Sequence, residues 1–240
     1  MNPVSFVPVQ SAFGGACIAA ATALTCCGQP PAAAPAGAEG LAPGDKAALE
    51  SSDKAGAIRL FDGRTLAGWK ATDFGGQGKV LVRDGRLVLE DGSPLTGITW
   101  TRPFPTSNYE VSLEAMRVDG IDFFCGMTFP VGNEFCSLIV GGWAGTVVGL
   151  SSINGDDASE NETTDYMRFE KGQWYRIRLR VTDERIEAWI DQEKFVDVPR
   201  KDRSFSLRIE VDPSKPFGIA SFLTTAALRN MTLERLPPRD

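Results

Sequence analysis

Residues 174–198, WYRIRLRVTDERIEAWIDQEKFVDV, alternate apolar and polar side chains on either side of a Thr-Asp-Glu turn. Ile177, Leu179 and Val181 fall on one face of an extended chain and Arg176, Arg178 and Arg180 on the other, while Ile186, Ala188 and Ile190 carry the apolar face onward after the turn. A period of two marks strands that bury one face and wet the other. The pattern recurs in NYEVSLEAMRV, where Tyr109, Val111, Leu113 and Ala115 share a face, and in KVLVRDGRLVLEDG, where two apolar runs flank an Asp-Gly turn. FGIASFLTTAALRNMTLERL adds two more strand-length segments near the C-terminus. Turn signals fall every 8 to 12 residues and no segment sustains a long helical period, so the body reads as an all-β sandwich or barrel.

What precedes that body has another character. Residues 1–28 are apolar and rich in small side chains, with a run from Ala16 to Leu24 that suits a signal-peptide core, although no Lys or Arg occurs before Lys46. LTCC resembles a bacterial lipobox, with Cys27 or Cys26 as the lipid acceptor, and an extracytoplasmic location follows from either reading. Residues 29–57 are rich in Pro, Ala, Gly and Ser and read as a tether. The folded domain is therefore expected over 58–240.

Composition excludes several chemistries. The 240 residues contain no histidine, which rules out imidazole bases, histidine-bearing triads and histidine zinc sites. A net charge of -6 without a basic cluster argues against nucleic acid as a partner. Cys125 and Cys136 flank a predicted hairpin, GMTFPVGNEF, and read as buried thiols rather than a cross-strand disulfide.

Taken in order, LFDGRTLAGW, GRLVLEDGSPLTGITWT, YEVSLEAMRV, GQWYRIRLRVTDERIEAWIDQEKFVD and GIASFLTTAALRNMTL resemble the 3-keto-disaccharide hydrolase family, with Trp174, Trp189, Asp191, Asp197, Arg229 and Asn230 at the family's motif positions. The resemblance implies a concanavalin A-like jelly-roll β-sandwich and cleavage of 3-keto-glycosides. It departs in the middle, where Thr128 stands near the family's Arg and Cys136 near its Glu. That departure sustains the alternative of a lectin-like module binding carbohydrate or protein without turnover.

A ketone at C3 acidifies the C2 proton of a sugar, so elimination at C1 needs one carboxylate base and a hydrogen-bonding or cationic partner, with no histidine. Glu114 and Asp122 are the acid/base candidates: Asp122 follows Glu114 after a Gly-containing turn, and neighbouring strands stand about 4.8 Å apart. Glu110 and Glu114, about 13 Å apart along one strand, do not match a retaining glycosidase pair at about 5 to 5.5 Å. Trp143, among Gly141, Gly142 and Gly145, suits a sugar-stacking platform. Asn154, Asp156 and Glu160 belong to an acidic loop that is expected to shape the pocket. No cofactor is expected, with Ca2+ in the 154–165 loop as the one metal that its oxygen ligands suit.

Overall fold

The computed structural model describes residues 56–237. The leader, the lipid-acceptor cysteines and nearly all of the tether lie outside the described residues. The first strands are β1 (Ile58–Arg59), β2 (Trp69–Ala71), β3 (Val80–Arg83), β4 (Arg86–Leu89) and β5 (Leu95–Trp100). Longer ones follow: β6 (Tyr109–Gly120), β7 (Cys125–Val131), β8 (Glu134–Gly142), β9 (Val147–Ser151) and the short β10 (Asp165–Tyr166). The chain then runs through β11 (Trp174–Val181), β12 (Arg185–Ile190), β13 (Glu193–Pro199), a 3-10 helix (Ile209–Ser214), β14 (Gly218–Phe222) and β15 (Thr224–Arg235).

Two sheets result. The first has the order β13-β12-β11-β6-β15-β4-β3, with β1 added on β15; the second has the order β10-β9-β8-β7-β14-β5-β2. Every strand pairing is antiparallel. Alternation decides what lies between them. Leu113, Ile177, Leu179 and Ala188 enter the core from the first sheet; Met127, Phe129, Leu138, Leu150 and Ile219 meet them from the second. Burying each larger side chain contributes about 1.5–3 kcal/mol.

The opening motif is a packing device. Asp62 accepts hydrogen bonds from the backbone of Arg64 and Thr65 and from the Thr65 hydroxyl, which hold its carboxyl down at about 2. Trp69 is buried, donates from its indole to the Leu60 carbonyl at 2.7 Å and packs edge-on against Trp100 at 5.0 Å. Gly68 has φ +86°, and a Cβ there would come within 2.7 Å of the Trp100 ring. Only glycine meets both conditions without strain.

The predicted hairpin is β7–β8, with Cys125 opposite Val140 and Cys136 opposite Phe129. Both cysteines are free and fully buried, and burial pushes the Cys125 thiol up to about 12 and that of Cys136 higher still. Pro130 is tolerated inside β7 because β14 pairs only with Gly126, Met127 and Thr128, so its missing N–H leaves no gap in that ladder. The Pro130 carbonyl accepts a 2.6 Å bond from the buried Tyr109 hydroxyl of the opposite sheet. Tyr109→Phe leaves that carbonyl without its donor, so a loss of about 1–2 kcal/mol is expected from the urea unfolding midpoint.

Candidate functional site

The outer face of the second sheet is built in rows. Ser151 lies opposite Ser137, and Ser137 opposite Thr128, giving a line of hydroxyls across β9, β8 and β7. One pleat along, Gly149, Ile139, Gly126, Ala220 and Gly97 are successive cross-strand partners. Four of those five side chains are Gly or Ala, so Ile139 alone projects far from this row, and Thr163, Ala158 and the Phe123 ring fill in over Gly149 and Gly126. Over it opens a cleft of about 560 Å³, lined by Phe74, Pro94, Leu95, Phe123, Ile139, Trp143, Val211 and Phe222 together with Asp122, Ser137, Ser151, Arg208 and Glu210. That volume lies within the range of small-molecule sites, about 300–1,000 Å³.

Asp122 and Trp143 are brought together by one loop. The half-buried Asp122 carboxylate accepts from the Phe123 amide at 2.8 Å and from the Ala144 amide at 3.0 Å, while the Thr224 hydroxyl bridges the Asp122 backbone. Trp143 and Ala144 both have positive φ, 46° and 65°, and Trp143 remains 40% exposed. Such a backbone persists only where its surroundings fix it. Besides Asp122, the fixing group is Arg117, which is 6% exposed. Its guanidinium donates to the carbonyls of Gly141 at 3.2 Å, Gly145 at 2.9 Å and Phe169 at 3.4 Å, and lies over the rings of Phe124 and Phe169. Burial lowers the Arg117 pKa, and the charge of Asp122 partly restores it.

A second polar group borders the cleft from the 3-10 helix. Arg208 pairs with Asp157 and, at 3.1 Å, with Glu210. Asp157 in turn accepts from the hydroxyls of Ser151 at 3.0 Å and Ser152 at 3.2 Å, so the loop after β9 is tied to the sheet and to the helix at once. Hydrogen bonds from its own backbone and from Arg208 keep the Glu210 carboxyl below its ordinary value.

Of the residues singled out from sequence, Asp122 and Trp143 line this cleft. Glu114 does not join them. It lies between Leu113 and Ala115, whose side chains are buried in the core, and therefore faces outward from the first sheet. There it accepts from Arg229 at 2.8 Å and Asn230 at 3.1 Å, across a β15 register shift that turns two consecutive side chains to one side. The expected approach of Glu114 and Asp122 across adjacent strands thus fails, because the strand pairs of Glu114 are Arg176 and Arg229. Asn154, Asp156 and Glu160 are exposed; Asn154 accepts from the Ser204 amide, and none of the three lines the cleft. Asp157 of the same loop is the one that reaches the cleft border.

The calcium expectation finds no support in the loop's geometry. Asp157 and Glu162 are each paired with an Arg, and among the described residues no group of three or more His, Cys, Asp or Glu side chains is placed to hold a metal ion. At the divergent middle positions, Thr128 faces outward and meets the Ser137 hydroxyl at 3.2 Å, whereas Cys136 points into the core. Sequence reasoning missed Arg208, Glu210, Phe74 and Phe123, which lie in segments without a distinguishing local motif, and Phe222, whose segment reads as a strand but gives no sign of which face it presents.

A family model, the 3-keto-alpha-glucoside-1,2-lyase-like domain, matches residues 56–234. The chain belongs to this family. No curated protein matches it in sequence. In shape this lyase-like domain is similar to the Crh5 transglycosylase solved in complex with NAG, at 13% identity and a TM-score of 0.53 over 77% of this chain and 86% of that one. It is similar also to the exoplasmic/lumenal domain of VIP36, solved in its Ca2+/Man3GlcNAc-bound form, at 10% identity and a TM-score of 0.50 over 73% of this chain and 88% of that one. A laminarinase from Flavobacterium sp. UMI-01 matches at 11% identity and a TM-score of 0.49, covering 75% and 98% of the two chains. At such identities the likeness is one of fold, the sandwich shared by glycosidases and sugar-binding lectins. Among the described residues of the lyase-like domain, no helix is long and apolar enough to cross a membrane.

Proposed function

We propose that the domain cleaves 3-keto-glycosides held in the cleft, with Asp122 as the base. The observation that supports this most directly is the position of Asp122 in the cleft lining, oriented by two backbone amides and next to an exposed tryptophan. The carboxylate takes the C2 proton, the electrons pass to the C3 oxygen as an enolate, and the carbonyl re-forms as the C1–O bond breaks. A C1=C2 enone and an alcohol result, the alcohol oxygen receiving the proton from Asp122. Water adding across the double bond then gives the free 3-keto sugar. Arg208, paired with Asp157 and Glu210, supplies N–H donors for the enolate oxygen. Glu210, held ionised by its hydrogen bonds, serves to orient Arg208 rather than to donate a proton.

A second reading, binding without turnover, draws on Ser137 and Ser151, which bring hydroxyls rather than charge to the cleft lining. Incubating the full chain with 3-keto-glucosides and following alcohol release separates the two. Release at rates well above the buffer blank is the expected result. No release, alongside a thermal shift with intact glycosides, would move the protein to the binding reading.

A further inference from the structure

The cleft is divided by direction. Along β8 its two ends are polar on either side of Ile139: Ser137 faces it, with Ser151 alongside and Arg208 and Glu210 in the same lining, and Asp122 stands at the Gly142 end of the strand. Across the sheet its character is apolar. The Phe123 ring lies on Gly126, where an added Cβ would come within 2.8 Å of it, and Phe222 packs against Phe123 at 5.7 Å. Leu95 is the cross-strand partner of Phe222, and Phe74 borders the same side. From β7 through β14 to β5 this track spans two strand spacings, about 10 Å. It carries no charged side chain beyond Asp122 at its origin.

A disaccharide presents hydroxyls at both ends, and a second sugar on this track would bury them against rings that offer no partner, at a cost of about 1–3 kcal/mol for each unpaired group. An alkyl or aryl group gains there instead. We propose that the cleft selects glycosides with an apolar aglycone, the sugar lying along β8 between Asp122 and Arg208 and the aglycone crossing β7, β14 and β5 over Phe123, Phe222 and Leu95. This assignment of the leaving group rests on the cleft being the glycoside site proposed above.

The test uses the full chain and two matched series. Affinity for intact methyl, butyl and hexyl α-glucosides is measured by calorimetry, and alcohol release from the corresponding 3-keto-glucosides is compared with release from a 3-keto-disaccharide. Hexyl is expected to bind at least tenfold more tightly than methyl, with a more negative heat-capacity change, and to be released with a kcat/KM at least tenfold above that of the disaccharide. Phe74→Ala and Phe222→Ala, both at half-buried positions, are expected to narrow the hexyl-to-methyl ratio. A tenfold affinity gain without release from any keto-glycoside keeps the apolar track and sinks the lyase reading. Release that is equal for methyl, hexyl and disaccharide substrates keeps the lyase reading and overturns the track, as does an affinity that is flat along the series.

Discussion

Asp122→Asn is expected to lower alcohol release from a 3-keto-glucoside by at least about a hundredfold, the loss typical of removing a positioned general base. The amide side chain is nearly isosteric and keeps an oxygen for the Phe123 amide, but its nitrogen cannot accept from the Ala144 amide as the carboxylate does. One hydrogen bond is therefore lost, worth about 1 kcal/mol, and a small drop in Tm accompanies the large drop in rate. Glu114→Gln is the matched control. Its carboxylate faces outward from the first sheet and binds Arg229 and Asn230, so that variant is expected to lose a little stability and keep its turnover. Equal rates for Asp122→Asn and the parent protein, or a collapse of rate in Glu114→Gln, would remove Asp122 from the role of base.

The contrast between these two carboxylates shows what the sequence conveys. The amphipathic strands were legible because one face of the first sheet meets the core and the other meets water: 109–116 and 174–190 show the alternation that the structure bears out, and Glu110, Arg180 and Glu187 pair on the outer face. The opening turn and its buried Trp69 were legible for a similar reason, being local. β7, β8 and β9 are buried on both faces and carry no alternation to read. Apart from Ile139, the outward residues that meet the cleft and its neighbouring loop are small or hydroxylated, a fact that only register reveals. Glu114 and Asp122 are eight positions apart, yet the chain leaves the first sheet between them; a spacing argument within one strand cannot see that change of sheet. Arg208, Phe222 and Phe74 come to the cleft from segments more than a hundred residues apart in part, and no local pattern joins them. In the acidic loop the crowding of carboxylates was visible, but their Arg partners, 203 and 208, were not.

The same division between local and long-range order bears on Arg117, whose replacement is expected to be the most damaging to stability. Arg117→Met keeps most of the volume and removes the donors for the carbonyls of Gly141, Gly145 and Phe169, leaving acceptors in a region closed off by Phe124 and Phe169. Each unpaired acceptor costs about 1–3 kcal/mol, and since the loop will relax to satisfy some of them a total near 3 kcal/mol is expected from urea unfolding. Arg117→Lys keeps the charge but not the planar fork that spans Gly141 and Gly145, so it is expected to recover only part of the loss. The readout that separates a clamp from ordinary packing is local: hydrogen exchange at the Ala144, Gly145 and Thr146 amides should quicken more than exchange in β11 or β12. Coupling to Asp122 follows from the same geometry. The Asp122 charge favours the buried guanidinium and its carboxylate holds the Ala144 amide, so both groups fix one loop and their effects should be less than additive in a double-mutant cycle. An Arg117→Met protein that unfolds at the parent's urea midpoint with unchanged exchange in the Trp143 loop would show that the loop holds its shape without the clamp, and that the tryptophan beside Asp122 is positioned by the sheet alone.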